Sequence, residues 1–319
     1  MLFPKHHLPS VGLVLNGGGA RGPYQIGVYM AMEKFGLNDH IIGTSGSSIG
    51  AFMSVLFLYK DPEKMISFWS KADNATVKKE KEHKLSALAS ALFKKEGYYS
   101  RDGLVDLINS NIDLSALVNS APYPLYVSLA KEIKDLKGKV VSYQPEYLSL
   151  KGRSSKDILA LLLATSAIPV VFDPVSFQGA TYVDPMRADN EPYKPLLHLN
   201  MDMLFILPLN DSHLNKSYPK DFLYPIVDFA SPKLFSLPKM NMIDFKQENA
   251  NIYISEGYQV GKLLLHSLYS KGELHALTKK QKKERYKPYY SLSKLGIDNI
   301  EFATMDIKEI LEDIKKGAE

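Results

Sequence analysis

Short apolar runs alternate along the chain with glycine-rich turns and with longer segments of helical periodicity. Val11–Leu15 and Leu204–Leu207 are almost continuously apolar, as is typical of strands that are buried on both faces of a parallel sheet. Tyr24–Phe35 and Glu248–Leu268 instead repeat apolar residues with the period of a helix. Because buried strands alternate with helices, the pattern predicts an α/β fold of three layers, α/β/α, around a mainly parallel central sheet.

Other segments carry more local signals of secondary structure. Pro124–Ala130 and Lys139–Tyr143 have the composition of two strands joined by a tight turn. A serine–aspartate capping signal precedes a helix that we expect over Lys156–Thr165. The last segment, Met305–Lys316, has the pattern of an amphipathic helix.

The stretch Ile41–Ala51 combines a strand signal, a turn rich in glycine and serine, and the start of an apolar helix. Within it, Gly46-Ser47-Ser48-Ile49-Gly50 fits the G-x-S-x-G pattern of a nucleophile elbow. Glycines on either side of the serine allow a sharp, strained turn, and the following helix points its N-terminal N–H groups at the hydroxyl. Ser48 is therefore the candidate nucleophile. Ser45 is the competing candidate, but the residue two positions after it is serine rather than glycine.

A second glycine-rich loop, Gly17–Gly22, lies between the strand Val11–Leu15 and the helix Tyr24–Phe35. Successive backbone N–H groups beside a helix N-terminus form a cradle for an anion. The loop also fits the dinucleotide motif G-x-G-x-x-G, which requires an acidic residue at the end of the next strand, about 20 residues later. Asp39 has that spacing but precedes its strand. We therefore expect the cradle to face an oxyanion formed at Ser48, and we expect no cofactor.

Asp184 is the candidate partner of Ser48. It follows the short strand Thr181–Val183, and a carboxylate at the exit of a strand is well placed at the C-terminal edge of a sheet. The alternative is an Asp-Pro turn without a catalytic role. His198 would suit a triad in the order Ser, Asp, His, but it lies in a predicted helix, where a surface or capping role is the simpler interpretation. His40 starts its strand and so lies at the opposite edge.

Composition narrows the possible chemistry. The 319 residues include no cysteine, which excludes disulfides, thiolate catalysis and cysteine metal sites, and the proposed chemistry needs no metal. A formal net charge of +4 does not indicate a nucleic-acid partner but permits weak attraction to anionic lipid. The N-terminus lacks the apolar segment of a secretory signal, and the longest apolar run, Ile49–Tyr59, is too short to span a bilayer. We therefore expect a cytoplasmic protein that can contact membranes peripherally.

Four motifs together resemble those of the patatin-like phospholipase family. They are the glycine-rich loop Gly17–Gly22, the elbow Gly46–Gly50, the stretch Ala164–Val175, which is similar to A-S-x-A-I-P-x-x-F-x-P, and Tyr182–Asp184 with Asp189–Pro192 behind it, which is similar to V-D-G-G…D-N-x-P. Four motifs in the order of the family are far more specific than any one of them.

The resemblance implies a lipid acyl hydrolase in which Asp184 accepts the proton of Ser48 and an acyl-enzyme forms. It also implies an oxyanion hole, whose candidate residues are Gly17, Gly18, Gly19 and Arg21. Arg21 would either contact a lipid phosphate or brace the loop. The implied organisation is a catalytic domain over residues 8–268 with a helical, basic extension over residues 269–319 packed on it. Pro185 departs from the family, which has glycine there, so the alternative is a catalytically weak or inactive protein that binds a lipid or a partner.

Four further segments are unusually charged or apolar. We expect the charge run Lys78–Lys84 to be solvated and the apolar segment Leu85–Phe93 to pack on the sheet, with a lid over the site as the alternative. We expect the proline-rich, aromatic stretch Leu223–Phe245 to fold back over the core; docking on a membrane or lining an acyl cleft are its alternatives. The basic cluster Lys279–Arg285 is expected to be a solvated helix end, with attraction to lipid headgroups as the alternative.

Overall fold

A computed structural model describes residues 8–77, 79–80, 98–210, 213, 218, 222–236, 242–284, 287–297 and 302–317. The strands of these residues are β1 (Val11–Leu15), β2 (Ile41–Ser47), β3 (Lys79–Glu80), β4 (Tyr99–Ser100), β5 (Leu125–Lys134), β6 (Val140–Ser149), β7 (Val175–Phe177), β8 (Ala180–Val183), β9 (Met203–Leu207), β10 (Ile226–Asp228) and β11 (Tyr289–Tyr290). Their helices are α1 (Pro23–Lys34), α2 (Ile49–Leu56), α3 (Pro62–Trp69), α4 (Asn74–Val77), α5 (Asp102–Asn111), α6 (Leu114–Asn119), α7 (Ser155–Thr165), α8 (Pro232–Ser236), α9 (Gln247–Ser270), α10 (Lys279–Lys282) and α11 (Ile307–Lys315).

A mixed sheet forms the centre of the described structure. Its strand order is β11-β10-β9-β1-β2-β5-β8-β7, with β6 paired to β5. Strands β11, β10, β9, β1, β2 and the first part of β5 pair in parallel, whereas β6, β7 and β8 pair antiparallel with their neighbours. The sheet is therefore mainly parallel, as predicted, and its antiparallel strands gather at one side.

The two faces of the sheet are buried in two separate cores, because side chains alternate along each strand. In β1, Leu13 and Leu15 face the larger core, which also contains residues of α1, α2 and α9. Val14 faces the smaller core, together with Leu204 of β9 and Leu196 of the 3₁₀ turn Lys194–Leu196. The predicted α/β fold, with helical layers on both sides of a mainly parallel sheet, is confirmed.

Helices α1 and α9 pack backbone against backbone through two glycines. A Cβ on Gly27 would lie 2.0 Å from the carbonyl oxygen of Ile254, and a Cβ on Gly257 would lie 2.0 Å from that of Tyr24. No side chain fits at these separations, so the backbones of the two helices are in direct contact. Because α1 begins directly after Gly22, this contact also holds the end of the glycine-rich loop.

Most predicted elements occur close to their predicted bounds. The helices expected over Tyr24–Phe35, Lys156–Thr165, Glu248–Leu268 and Met305–Lys316 are α1, α7, α9 and α11. The strand expected over Lys139–Tyr143 is longer, because β6 pairs with β5 along almost its whole length. Among the helices that the structure describes, none is long and apolar enough to cross a membrane.

The C-terminal part of the chain contributes to both the sheet and the helical layer. Strand β11 pairs in parallel with β10. In α11, Asp313 accepts hydrogen bonds from Lys34 of α1 at 3.2 Å and from Lys262 of α9 at 2.5 Å. The proposed boundary after residue 268 stays a prediction. The segment Leu85–Phe93 lies outside the described residues, as does the charge run Lys78–Lys84 apart from the backbone of β3.

Candidate active site

Ser48 lies where β2 ends and α2 begins, with φ 51° and ψ −124°. Positive φ is strained for any residue other than glycine. The flanking glycines have no room for a side chain, since a Cβ on Gly46 would lie 2.5 Å from the Ala51 nitrogen and one on Gly50 would lie 2.1 Å from the Leu15 oxygen. The turn therefore has the strained, glycine-flanked geometry of a nucleophile elbow.

Two consecutive hydrogen bonds fix the strained backbone of Ser48. Its N–H donates to Oγ1 of Thr165 at 2.8 Å, and the Thr165 hydroxyl donates to the carbonyl oxygen of Ser128 at 2.6 Å. Thr165 is the last residue of α7 and Ser128 lies in β5, so two further elements hold the turn. Thr165 lies in the motif stretch Ala164–Val175, but its contact with Ser48 is not visible in the sequence, because the two residues are 117 positions apart.

Asp184 follows β8 and is 3% exposed. Its N–H donates to the carbonyl oxygen of Ala167 at 3.0 Å, and its Oδ1 accepts the N–H of Met186 at 2.9 Å. Burial raises the pKa of Asp184 to about 6, although hydrogen bonds with the Ser48 hydroxyl and the Met186 N–H act in the opposite direction. The structure thus brings Ser48 and Asp184 together.

Pro185 is accommodated at the first position of the 3₁₀ turn Pro185–Arg187. At that position the missing N–H of proline is not needed, and its fixed φ suits the turn. Asp184 has φ −54° and ψ 130°, the extended backbone that a residue before proline prefers. Proline in place of the family's glycine therefore still allows the Asp184 carboxylate to lie next to Ser48.

The glycine-rich loop lies against the elbow, since a Cβ on Gly17 would lie 3.0 Å from the Cβ of Ser48. The Gly17 N–H is engaged within the protein, because it donates to Oδ1 of Asn190 at 3.1 Å. Gly19 has φ 57°, a conformation that favours glycine. Within the described part of the chain, no hydrogen bond engages the N–H of Gly18 or of Gly19. The loop thus presents two adjacent donors near the serine.

Arg21 is 2% exposed, and its Nη1 donates to the carbonyl oxygen of Leu209 at 3.1 Å. Of the two roles considered for this residue, burial favours bracing of the loop over contact with a lipid phosphate. A lipid phosphate cannot reach a guanidinium that is buried in this way. Its place among the oxyanion-hole residues stays a prediction.

The alternative candidates for catalytic residues do not lie at this site. The His198 ring contacts the Tyr126 hydroxyl at 3.4 Å on the protein surface, and His40 lies in the turn before β2, at the opposite edge of the sheet. Ser45 is buried inside β2 rather than at its exit. Of the described residues that line the pocket at Ser48, none is a histidine, so this geometry does not support a triad.

An apolar pocket opens beside Ser48. Of its described lining residues, only Ser48 and Ser166 carry a polar side chain. The walls come from α2, α3 and the segments Ile168–Phe172 and Met242–Phe245, and the rings of Trp69 and Phe245 pack 5.9 Å apart. The end of the aromatic stretch Leu223–Phe245 therefore lines a cleft, whereas its earlier residue Phe229 is buried in the main core.

A buried charged bridge adjoins the loop through Asn16, the residue that precedes Gly17. His213 contacts Glu191 through Nδ1 at 2.5 Å and Asp228 through Nε2 at 2.8 Å, and Asn16 donates to Glu191 at 3.1 Å. Burial lowers the pKa of His213, but the two carboxylates outweigh it and raise the pKa to about 10. His213 is therefore an imidazolium at neutral pH. No local motif in the sequence indicates this bridge, because its three residues are distant from one another in the chain.

We predict that the fold loses stability in alkaline solution as this bridge loses its proton. The pKa of His213 is about 6.5 in an unfolded chain and about 10 here. Its stabilisation is therefore complete below pH 6.5 or so and is lost as the pH rises through about 10. Urea unfolding between pH 6 and 10 measures this loss.

His213→Gln should be less stable at pH 7 by about 3–5 kcal/mol, because two buried carboxylates lose their counter-charge. It should also lose the alkaline dependence that the wild-type chain shows. His266→Gln, which removes an exposed histidine of α9, is the matched control and should retain it. A wild-type free energy of unfolding that stays constant from pH 7 to 10 would contradict a charged bridge.

The curated relatives that match parts of the chain include the following two proteins. A segment of 48 residues is 56% identical to lysophospholipase NTE1 of Chaetomium globosum, and covers 15% of this chain and 3% of that protein. An uncharacterized NTE family protein of Mycobacterium tuberculosis is 27% identical over 204 residues, which cover 64% of this chain and 50% of the relative. The chain thus spans half or less of these relatives.

The matches to solved structures are more distant. VipD from Legionella pneumophila has a TM-score of 0.43 at 16% identity, with 83% of this chain and 67% of that chain covered. Human GIVD cytosolic phospholipase A2 has a TM-score of 0.41 at 15% identity, with 84% and 60% covered. Similarity this remote does not identify the reaction of this chain.

The match to a family model is broader and covers both residues of the candidate dyad. A sequence model described as patatin-like phospholipase matches residues 13–197, which is more than half of the chain. The match includes the glycine-rich loop, the elbow and the segment that carries Asp184 and Asn190. The chain therefore belongs to the patatin-like phospholipase family.

Proposed function

We propose that the chain is a serine hydrolase that cleaves acyl esters of lipids, with Ser48 as the nucleophile and Asp184 as the base. The observation that carries the proposal is the contact between a strained serine and a buried aspartate beside an apolar pocket. Family membership supports lipid esters as the substrate class. The relative named as a lysophospholipase supports phospholipids or lysophospholipids within that class.

In the proposed acylation step, Ser48 Oγ attacks the ester carbonyl carbon while its proton passes to Asp184. A pKa of about 6 makes Asp184 a stronger base than an ordinary aspartate, yet leaves it ionised at neutral pH. The carbonyl oxygen becomes an oxyanion, which the N–H groups of Gly18 and Gly19 stabilise. Gly17 and Arg21 act indirectly in this scheme, since the Gly17 N–H and the buried Arg21 are used to hold the loop.

The tetrahedral intermediate then collapses, and the alcohol leaves with the proton held by Asp184. The acyl group remains on Ser48 with its chain in the apolar pocket. Asp184 next accepts a proton from a water molecule, whose oxygen attacks the carbonyl carbon of the acyl-enzyme. The bond between this carbon and Ser48 Oγ then breaks, Asp184 returns the proton to Ser48 Oγ, and the fatty acid is released. No metal or cofactor takes part in this scheme.

Removal of either dyad residue is expected to abolish hydrolysis. Ser48→Ala removes the nucleophile and Asp184→Asn removes the base at constant shape, so each should lower kcat by about 10³-fold or more. The double variant should be scarcely worse than either single variant, because the two residues act as a unit. Initial rates on p-nitrophenyl esters of rising chain length, phospholipids and lysophospholipids measure the loss, and circular dichroism verifies folding.

The control for the dyad is His198→Ala, which should leave kcat within a few-fold of the wild-type value. A fluorophosphonate should label Ser48 in the wild-type chain and leave Ser48→Ala unlabelled. Activity lost in His198→Ala and kept in Asp184→Asn would show that the dyad assignment is wrong. A folded chain that neither hydrolyses esters nor reacts with the probe would favour the alternative of an inactive binding protein.

The pH profile of kcat/KM is expected to have its acid limb near pH 6. Protonated Asp184 cannot accept the Ser48 proton, so kcat/KM should fall about tenfold for each pH unit below the pKa of about 6. A pH profile of kcat/KM between pH 4 and 8 measures it. An acid limb near pH 4, the range of a solvated aspartate, would argue against a buried Asp184 as the base.

We also propose a cytoplasmic protein that contacts anionic membranes peripherally. Lys279 and Lys280 of α10 are exposed, whereas Lys282 in the same cluster pairs with Asp202 at 2.9 Å. One lysine of the cluster is therefore engaged in an ion pair within the fold, whereas Lys279 and Lys280 are free to approach a membrane surface.

Binding to anionic vesicles is expected to weaken as salt rises, because screening reduces the attraction of lysine to the surface. Lys279→Glu should weaken binding by more than the roughly 1 kcal/mol that a basic residue contributes, since it also adds a negative charge. Lys308→Glu makes the same charge change at an exposed position of α11 and should have little effect. Co-sedimentation that does not change with salt would contradict an electrostatic contact.

A further inference from the structure

The side chain of Asn190 connects the two segments that flank the nucleophile. Its Oδ1 accepts the N–H of Gly17 at 3.1 Å and the hydroxyl of Ser47 at 2.8 Å, and its Nδ2 donates to the carbonyl oxygen of Gly17 at 3.2 Å. A Cβ on Gly17 would lie 2.5 Å from that Oδ1, so the glycine is required for this pairing. One amide thus joins the end of β2 to the start of the glycine-rich loop.

The carbonyl of Gly17 belongs to the same planar peptide unit as the N–H of Gly18. In a trans peptide these two groups point in opposite directions from one rigid plane, and the described residues contain no cis peptide bond. Asn190 at 3.2 Å and Asn210 at 2.9 Å both donate to this carbonyl oxygen. By fixing the carbonyl, the two side chains also fix the direction of the Gly18 N–H.

The residues on either side of Asn190 hold its backbone in place. Asp189 accepts the Ser128 hydroxyl through its carbonyl oxygen at 2.8 Å, and its carboxylate accepts the hydroxyl of Tyr147. Glu191 is bound by His213 at 2.5 Å. Both neighbours are buried, so the position of the Asn190 backbone is set by hydrogen bonds that do not involve the loop.

We propose that Asn190 is a positioning residue of the oxyanion hole, which aims the Gly18 N–H at the oxygen of the scissile carbonyl by holding the Gly17 peptide. Asn210 assists it at the same carbonyl. This inference rests on the proposed function, because it assigns a role within that reaction. Asn190 itself does not touch the reacting atoms.

The first experiment compares kinetic constants of Asn190→Ala with those of the wild-type chain. A misdirected donor weakens stabilisation of the transition state more than binding of the substrate, so kcat should fall about 10- to 100-fold while KM stays within about threefold. The acid limb of the pH profile should not move, since Asp184 is not affected. Asn190→Asp keeps an acceptor for the Gly17 N–H but loses the donor to its carbonyl, so its kcat should fall as well.

Two further measurements separate positioning from a general loss of structure. Tyr224→Phe removes hydrogen bonds to the carbonyl oxygens of Leu197 and Leu199 on the other face of the sheet and should leave kcat unchanged. Hydrogen exchange of a peptide that contains Gly17 should accelerate in Asn190→Ala and stay slow in Asn190→Asp. The double variant of Asn190→Ala and Asn210→Ala should be non-additive in kcat, because both side chains hold one carbonyl.

The outcomes distinguish this inference from the proposed function. An active wild-type chain in which Asn190→Ala keeps its kcat overturns the inference and leaves the function standing. A fall in kcat that Tyr224→Phe reproduces, or that comes with an equal rise in KM, also overturns it. A wild-type chain without hydrolysis or fluorophosphonate labelling overturns the proposed function, and the inference with it.

Discussion

The site depends on one constraint. At the ends of β1 and β2 the backbones pack so closely that no side chain fits between them. A Cβ on Gly50 would lie 2.1 Å from the carbonyl oxygen of Leu15, and one on Gly17 would lie 3.0 Å from the Cβ of Ser48. These approaches bring the glycine-rich loop and the elbow to one point. They also hold Ser48 at a positive φ that it would not adopt in isolation. The fold therefore stabilises a local conformation that costs energy and that exposes the hydroxyl to the pocket.

The two buried carboxylates near this point have pKa values shifted in opposite directions, because only one of them has a counter-charge. Asp184 is buried beside a hydroxyl and a backbone N–H, and desolvation raises its pKa to about 6. Burial also raises the pKa of Glu191, but the contacts with His213 and other donors outweigh it, and the pKa is lowered. The first environment favours proton transfer, whereas the second favours a fixed charge. The same edge of the sheet thus contains one carboxylate with a raised pKa and one with a lowered pKa.

Local signals in the sequence predicted the elbow, the glycine-rich loop and the main helices, because each depends on residues that are neighbours in the chain. Gly46 and Gly50 indicate the turn at Ser48 on their own. The residues that support the site could not be found in this way. Asn190 contacts a loop 173 positions earlier in the chain, and His213 joins two carboxylates of different segments. Asn190 belongs to the motif Asp189–Pro192, but no local signal indicates that it contacts the glycine-rich loop, and His213 lies in no motif. Only the folded chain shows these contacts.

Asp184 reaches Ser48 from the direction opposite to that expected from the sequence. In a parallel sheet, a carboxylate at the exit of a strand lies at the C-terminal edge. Here β8 runs antiparallel to β5, with Val183 paired to Ala130. Strand β5 continues past the edge, because Ser128 is already level with Ser47 at the end of β2. Strand β8 runs back along this extension, and its end returns to the level of the elbow. The length of β5 therefore allows an antiparallel strand to place a carboxylate at an edge formed by parallel strands.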